Sequence, residues 1–194
     1  MTRMEFTIFY ILFLVCAYIY EYKGESAIKS RYCPQGRIVA KWSYYIMAGS
    51  YIFILLSTPV EYLIVKRDIN LIITSSGLIM YTSGLLLRRW AVNTLSEFWS
   101  LHIEIKENHN LIKNGPYKYV RHPNYLATIL KGIGFSLIPN SFYILFYVLC
   151  IYIPVRIIRI YLEEKELIKQ FGQEYINYKR EVPALFPFKN FGGR

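Results

Sequence analysis

Cysteine is scarce: three in 194 residues. Cys16 and Cys150 sit inside apolar runs and Cys33 precedes Pro34, without the paired spacing of a metal site or a disulfide framework, so no metal is expected. Acidic residues are also few, 13 against 23 Lys and Arg, and there are only three histidines. The basic residues form no readout motif, which argues against nucleic acid. No internal repeat and no low-complexity linker divides the chain, so a single domain over residues 1–194 is expected. What is abundant is apolar and aromatic surface, 54% and 18% of residues, with 19 tyrosines. That is too much for an ordinary soluble domain of this size and places the chain in a bilayer.

The apolar runs define the expected architecture, an all-α membrane protein of five transmembrane helices. Residues 6–20 are followed by Glu21, Tyr22 and Lys23 with no small-residue cleavage site, which reads as a retained span rather than a signal peptide. Residues 42–60 and 69–87 are each about 19 residues, enough to cross ~30 Å of hydrocarbon as helices. Residues 125–138 and the first part of 142–158 are shorter and joined by Pro139-Asn140-Ser141, the pattern of a helical hairpin; a re-entrant or interfacial segment is the alternative for 125–138.

Charge sets the orientation. Nineteen of the 23 basic residues cluster after the first span (Lys23 to Lys41), after the third (Arg88 to Arg121) and from Arg156 to the end. The positive-inside rule places both loops and the C-terminus in the cytoplasm and the N-terminus on the opposite side. The net charge of +10 is then a topology signal together with attraction to anionic head groups.

Two stretches carry polar chemistry. Gly115-Pro116-Tyr117-Lys118-Tyr119-Val120-Arg121-His122-Pro123-Asn124-Tyr125 punctuates the backbone and then starts a helix, with Pro123 in the first turn, where its missing N–H costs nothing. The free N–H groups of that start, beside Arg121 and His122, suit a carboxylate or phosphate; a basic membrane border with interfacial tyrosines would show the same residues. From Arg156 a helix continues out of the last span and is stopped by Gly172. Arg156, Arg159, Glu163 and Glu166 share one of its faces. A surface Arg159–Glu163 pair contributes at most ~0.5 kcal/mol, but at a membrane border desolvated charges need a stronger reason to stay, such as a zwitterionic ligand. Lys131, inside a span, is expected to face a cavity or a partner, or to snorkel. Trp90 and Trp99 read as interfacial anchors.

Together, Gly115-x-Tyr117-x-x-x-Arg121-His122-Pro123-x-Tyr125, Arg159-x-x-x-Glu163-Glu164, Phe171-Gly172-x-x-Tyr175-x-x-Tyr178 and Val182-Pro183-x-x-Phe186-Pro187 resemble the isoprenylcysteine carboxyl methyltransferase family over residues 89–187. The resemblance implies an integral membrane enzyme that binds S-adenosyl-L-methionine in a cytoplasmic pocket and methylates the carboxylate of a prenylated cysteine. It implies cofactor contacts from Glu104 in a strand-like stretch, from His109, Asn110, Leu111 and Ile112, from Tyr117, from His122, Pro123, Asn124 and Tyr125, and from Glu163. Arg159 is associated with the substrate, and Arg159 and Glu163 are the expected catalytic pair. Leu95-Ser96 departs from the pattern, since relatives often carry a glycine there, and Lys131 is no family marker. Alternatives remain: a methyltransferase of a phospholipid amine or other lipophilic molecule, which would need a base such as Glu164 or His122; a sterol-reductase-like nicotinamide enzyme sharing an Arg-His-x-Asn-Tyr box; or a non-catalytic membrane scaffold.

Overall fold

A computed structural model describes residues 2–31, 37–96, 99–100, 103–105 and 111–186. Among the described residues seven α-helices follow in order: α1 (Arg3–Arg31), α2 (Lys41–Val65), α3 (Leu71–Leu95), α4 (Pro123–Leu137), α5 (Phe142–Tyr147), α6 (Ile153–Phe171) and α7 (Gln173–Glu181). A π-helical turn, Val148–Tyr152, joins α5 to α6 without a break. Four segments among the described residues are long and apolar enough to cross a membrane: Arg3–Gly24, Lys41–Val65, Leu71–Leu95 and the continuous Phe142–Phe171. The first is longer than the apolar run 6–20, because α1 continues through polar residues to Arg31. At 15 residues α4 extends about 22 Å, short of the ~30 Å hydrocarbon core.

Polar groups seat this short helix at its C-terminal end. Thr74 Oγ1 donates to Ile138 O at 2.9 Å, and Asn140, at positive φ, donates to Thr74 Oγ1 and accepts from Asn70 N–H. Glu61 of α2 then accepts from the N–H groups of Tyr143 and Ile144 at 3.1 and 2.9 Å, capping α5 where helix N–H groups lack internal partners. Along its length α4 packs closely on α3 through small residues. A Cβ added at Gly77 would stand 2.8 Å from Ile138 N, and one at Gly84 would stand 2.7 Å from Ala127 O. Small residues at such a crossing let two backbones approach and take contact energy from dispersion.

Lys131, at the middle of α4, is fully buried and forms an ion pair with Glu21 of α1. Tyr51 of α2 and Tyr81 of α3 donate to the same carboxylate at 3.0 and 3.4 Å, so four helices meet at one charged pair. The expected partner of Lys131 is thus a residue of the first span.

The buried face of the last long segment runs through Ile144, Val148, Tyr152, Arg156, Ile160 and Glu164, a spacing of four. An α-helix turns about 40° too far at every four-residue step. The wider π turn at Val148–Tyr152 takes back part of that drift, and it lies just before Pro154, which has no N–H to give to the ladder. Gly172, at φ 54, ends α6 as its position suggested.

One element lies outside the all-α expectation. Arg37–Val39 (β1) and Ile103–Ile105 (β2) pair antiparallel, Ile38 opposite Glu104. The basic loop after the first span is therefore tied by backbone to the segment carrying Glu104, and β2 lies against α6. Ser96, at the end of α3, adopts φ 48, a conformation that costs a residue with a Cβ and that glycine adopts freely.

Candidate active site

The Gly115–Tyr125 stretch forms a 3-10 turn, Gly115–Lys118, with Gly115 at φ 57, and then enters α4 at Pro123 as expected. It is held from the C-terminal side. Arg121 N–H donates to Pro183 O at 2.9 Å and His122 N–H to Ala184 O at 3.0 Å, a strand-like pairing that explains why Val182-Pro183 belongs with the Arg-His-Pro box. Tyr178 of α7 donates its hydroxyl to Tyr117 O at 2.6 Å.

Two adjacent glutamates of α6 take different roles. Glu164 is buried: its Oε1 accepts from Arg121 Nε at 3.0 Å and Nη2 at 2.6 Å and lies 3.1 Å from His122 Nε2, while its Oε2 pairs with Lys179 Nζ at 2.6 Å. Arg121 Nη1 also donates to Lys179 O and Val182 O. The expectation that Arg121 stands beside the helix start to receive an external anion is corrected here, because its guanidinium is already neutralised by Glu164 and spread over two carbonyls. Glu164 likewise is a structural hub and not a base held ready.

Glu163, about 100° around the helix, is half-buried and faces a different side of α6. Tyr125 hydroxyl donates to Glu163 Oε2 at 2.5 Å and accepts from Arg159 Nε at 2.9 Å. Arg159, 3% exposed, also donates from Nη1 to Ser43 Oγ of α2 at 2.7 Å. The expected pair is therefore joined through one hydroxyl from the His-Pro-x-Tyr box, and Ser43 completes it. Sequence reading missed Ser43, whose only local sign is a hydroxyl near the start of an apolar helix.

Burial holds the site's phenols protonated. Tyr117 is pushed up by burial and by the nearby Glu163 charge, Tyr175 by burial and Glu164, and Tyr178 is raised to about 12 by burial. They act as neutral hydroxyls across the ordinary pH range.

Of the other expected residues, Leu111 and Ile112 are half-buried just ahead of the 3-10 turn, and Pro123 is buried. Asn124 is half-buried with its Oδ1 inaccessible and without a protein partner. Glu104 has a described backbone only; its side chain, His109 and Asn110 lie outside the described residues. Trp99 is buried, 6% exposed, and is a packing residue instead of the interfacial anchor expected; Trp90, 49% exposed, keeps an anchor's exposure.

Residues 77–169 match the isoprenylcysteine carboxyl methyltransferase (ICMT) family. Over that stretch, just under half of its length, the chain is similar to this family. Its curated relatives include the protein-S-isoprenylcysteine O-methyltransferase of Saccharomyces cerevisiae, 35% identical over 120 residues, which covers 59% of this chain and 49% of the relative. Methanethiol S-methyltransferase of Crocosphaera subtropica is 38% identical over 90 residues, 45% of this chain and 34% of the relative. The chain thus spans about half or less of the length of these relatives. A solved structure described as the eukaryotic intramembrane Ras methyltransferase ICMT aligns with a TM-score of 0.54 at 26% identity, covering 78% of this chain and 54% of that one. The family match contains the 3-10 turn, all of α4 and the Arg159, Glu163 and Glu164 positions; it leaves α1, α2 and α7 outside.

Proposed function

We propose that the chain is a membrane-embedded S-adenosyl-L-methionine-dependent methyltransferase acting on the carboxylate of a prenylated cysteine. The observation that carries the reading is the Arg159–Tyr125–Glu163 bridge, which puts a cation suited to an acceptor carboxylate one hydroxyl away from a carboxylate suited to a ligand ammonium. α4 makes a fifth crossing, and the site and the C-terminus face the cytoplasm, in keeping with the basic clusters after the first and third spans.

The residues present fit the cofactor. Glu163 accepts a hydrogen bond from Tyr125 and is partly exposed, and Asn124 Oδ1 is a buried acceptor that lacks a donor, a need that a ligand N–H meets. Glu163 and Glu104 hold the ammonium; the helix start at His122, Pro123 and Asn124 holds the carboxylate; Tyr117, Tyr125 and the His109–Ile112 run, with Asn110 and Leu111, line the adenosine. When bound, S-adenosyl-L-methionine supplies a methyl group carried on a sulfonium. Arg159 orients the acceptor carboxylate, which is already ionised at pH 7, so no residue has to remove a proton. The chain's own contribution is positioning in a site of low dielectric, where opposite charges that diminish together favour the transition state.

Labelled S-adenosyl-L-methionine and N-acetyl-S-farnesylcysteine test this with the purified chain in lipid. Alkali-labile label released as methanol, absent in Glu163→Gln and Arg159→Ala, is the expected result. Cofactor binding without transfer would discard the prenylcysteine acceptor. The Crocosphaera relative supplies a second acceptor to include, methanethiol, whose methylation would appear as volatile dimethyl sulfide.

A further inference from the structure

Arg156 sits one turn before Arg159 on α6 and is 2% exposed. Its Nη2 donates to Tyr152 hydroxyl at 2.7 Å and lies 3.5 Å from Met47 O, and its guanidinium carbon lies 4.3 Å from the Tyr152 ring centroid. Tyr152 hydroxyl is itself oriented, since it donates to Thr128 O at 3.1 Å. Nε and Nη1, three of the five donors of the group, have no protein partner, and no carboxylate pairs with Arg156 among the described residues. Arginine cannot escape by losing its proton, so a buried guanidinium left this way is costly unless a ligand completes it.

The two arginines form matching rungs between α6 and α2. Arg159 reaches Ser43 and Arg156 reaches Met47, four residues further along α2, while Tyr125 and Tyr152 orient the two guanidiniums. Glu163 faces Arg159 through Tyr125, which leaves the deeper cation without a counter-charge on this face. We infer that Arg156 is a second acceptor-binding residue, which takes with Arg159 the anionic head of a lipophilic acceptor between α2 and α6. This rests on the acceptor reading above. An acceptor that is anionic is thereby selected over a neutral one of the same shape, and α2, outside the family match, helps form the specificity site.

The test compares direct binding of N-acetyl-S-farnesylcysteine and of its methyl ester to the full chain in lipid, without cofactor. The wild-type chain is expected to prefer the acid, and Arg156→Met to reduce that preference by about tenfold, the scale of one charge-assisted hydrogen bond. Affinity for S-adenosyl-L-methionine is expected to stay unchanged. Arg156→Gln, which keeps a donor for Tyr152 and removes the charge, should show the same loss if Arg156→Met folds poorly. An acid-to-ester ratio within about twofold of wild type in a folded variant would overturn the inference, as would a wild-type chain with no preference. A purely structural arginine would lower thermal stability and leave the ratio alone. Methyl transfer by the wild-type chain with an unchanged ratio in the variant keeps the function and removes only this inference; absence of transfer removes the function.

Discussion

Glu164→Gln should be far more damaging to stability than Glu163→Gln, although the two residues are adjacent. Glu164 receives two hydrogen bonds from Arg121, a contact from His122 and one from Lys179. Lys179 is 46% exposed and contributes little, because water competes for it; the Arg121 side chain is 6% exposed and its charge has nowhere else to go. Removing one partner of such a buried pair costs about 3–5 kcal/mol. For a chain of this size each kcal/mol moves Tm by about 2–4 °C, so a fall of roughly 6–20 °C is expected. Glu163→Gln leaves an acceptor for the Tyr125 hydroxyl and removes only its charge, a change of about 1 kcal/mol or less. The assay is thermal unfolding in detergent with both single variants and the double variant Arg121→Met/Glu164→Met, which removes both charges together and should recover most of the loss. A Glu164→Gln chain that melts within a degree or so of wild type would refute the view that this carboxylate locks α7 and the Val182–Ala184 segment onto the Arg-His-Pro box.

Tyr125→Phe removes the hydroxyl shared by Arg159 and Glu163 and should weaken both acceptor and cofactor binding, each measured separately; a change confined to one ligand would contradict the bridge. Gly84→Ala puts a Cβ 2.7 Å from Ala127 O and should force α3 from α4, lowering Tm by several degrees, whereas Gly24→Ala, with open space around it, should not. Lys131→Ala takes away the buried cation paired with Glu21, leaving its carboxylate only the Tyr51 and Tyr81 hydroxyls, and should cost about 3–5 kcal/mol in unfolding experiments, while Lys131→Met/Glu21→Leu should come close to wild type. Tyr178 is raised from a free-phenol value of about 10 to about 12, so the folded chain holds its proton longer than the unfolded one. That stabilisation is complete below pH ~10 and is lost as pH rises toward about 12; denaturation midpoints across that window check it, with Tyr178→Phe flattening the fall.

Local chemistry made much of the framework readable. Pro123 starts α4 and Gly172 stops α6 because each residue has a backbone consequence that needs no neighbour. Apolar length marked five runs, whereas four of the described segments are long and apolar enough to cross a membrane; the spacing of Arg159, Glu163 and the His-Pro-x-Tyr box marked the candidate site, since a helix period is a local property. The tertiary structure decided everything that depends on which side a neighbour occupies. Glu163 and Glu164 are chemically identical and one position apart; only the approach of Arg121 from the start of α4 and Lys179 from α7 makes one the hub and leaves the other facing Tyr125. Lys131 had an evident need for a partner, but Glu21 lies 110 residues away and reaches it through helix packing alone. Ser43, the β1–β2 ribbon and the buried nitrogens left without partners at Arg156 belong to the same class. Periodicity assigns a residue to a face; burial, charge pairing and hydrogen bonding between faces arise only when the helices meet.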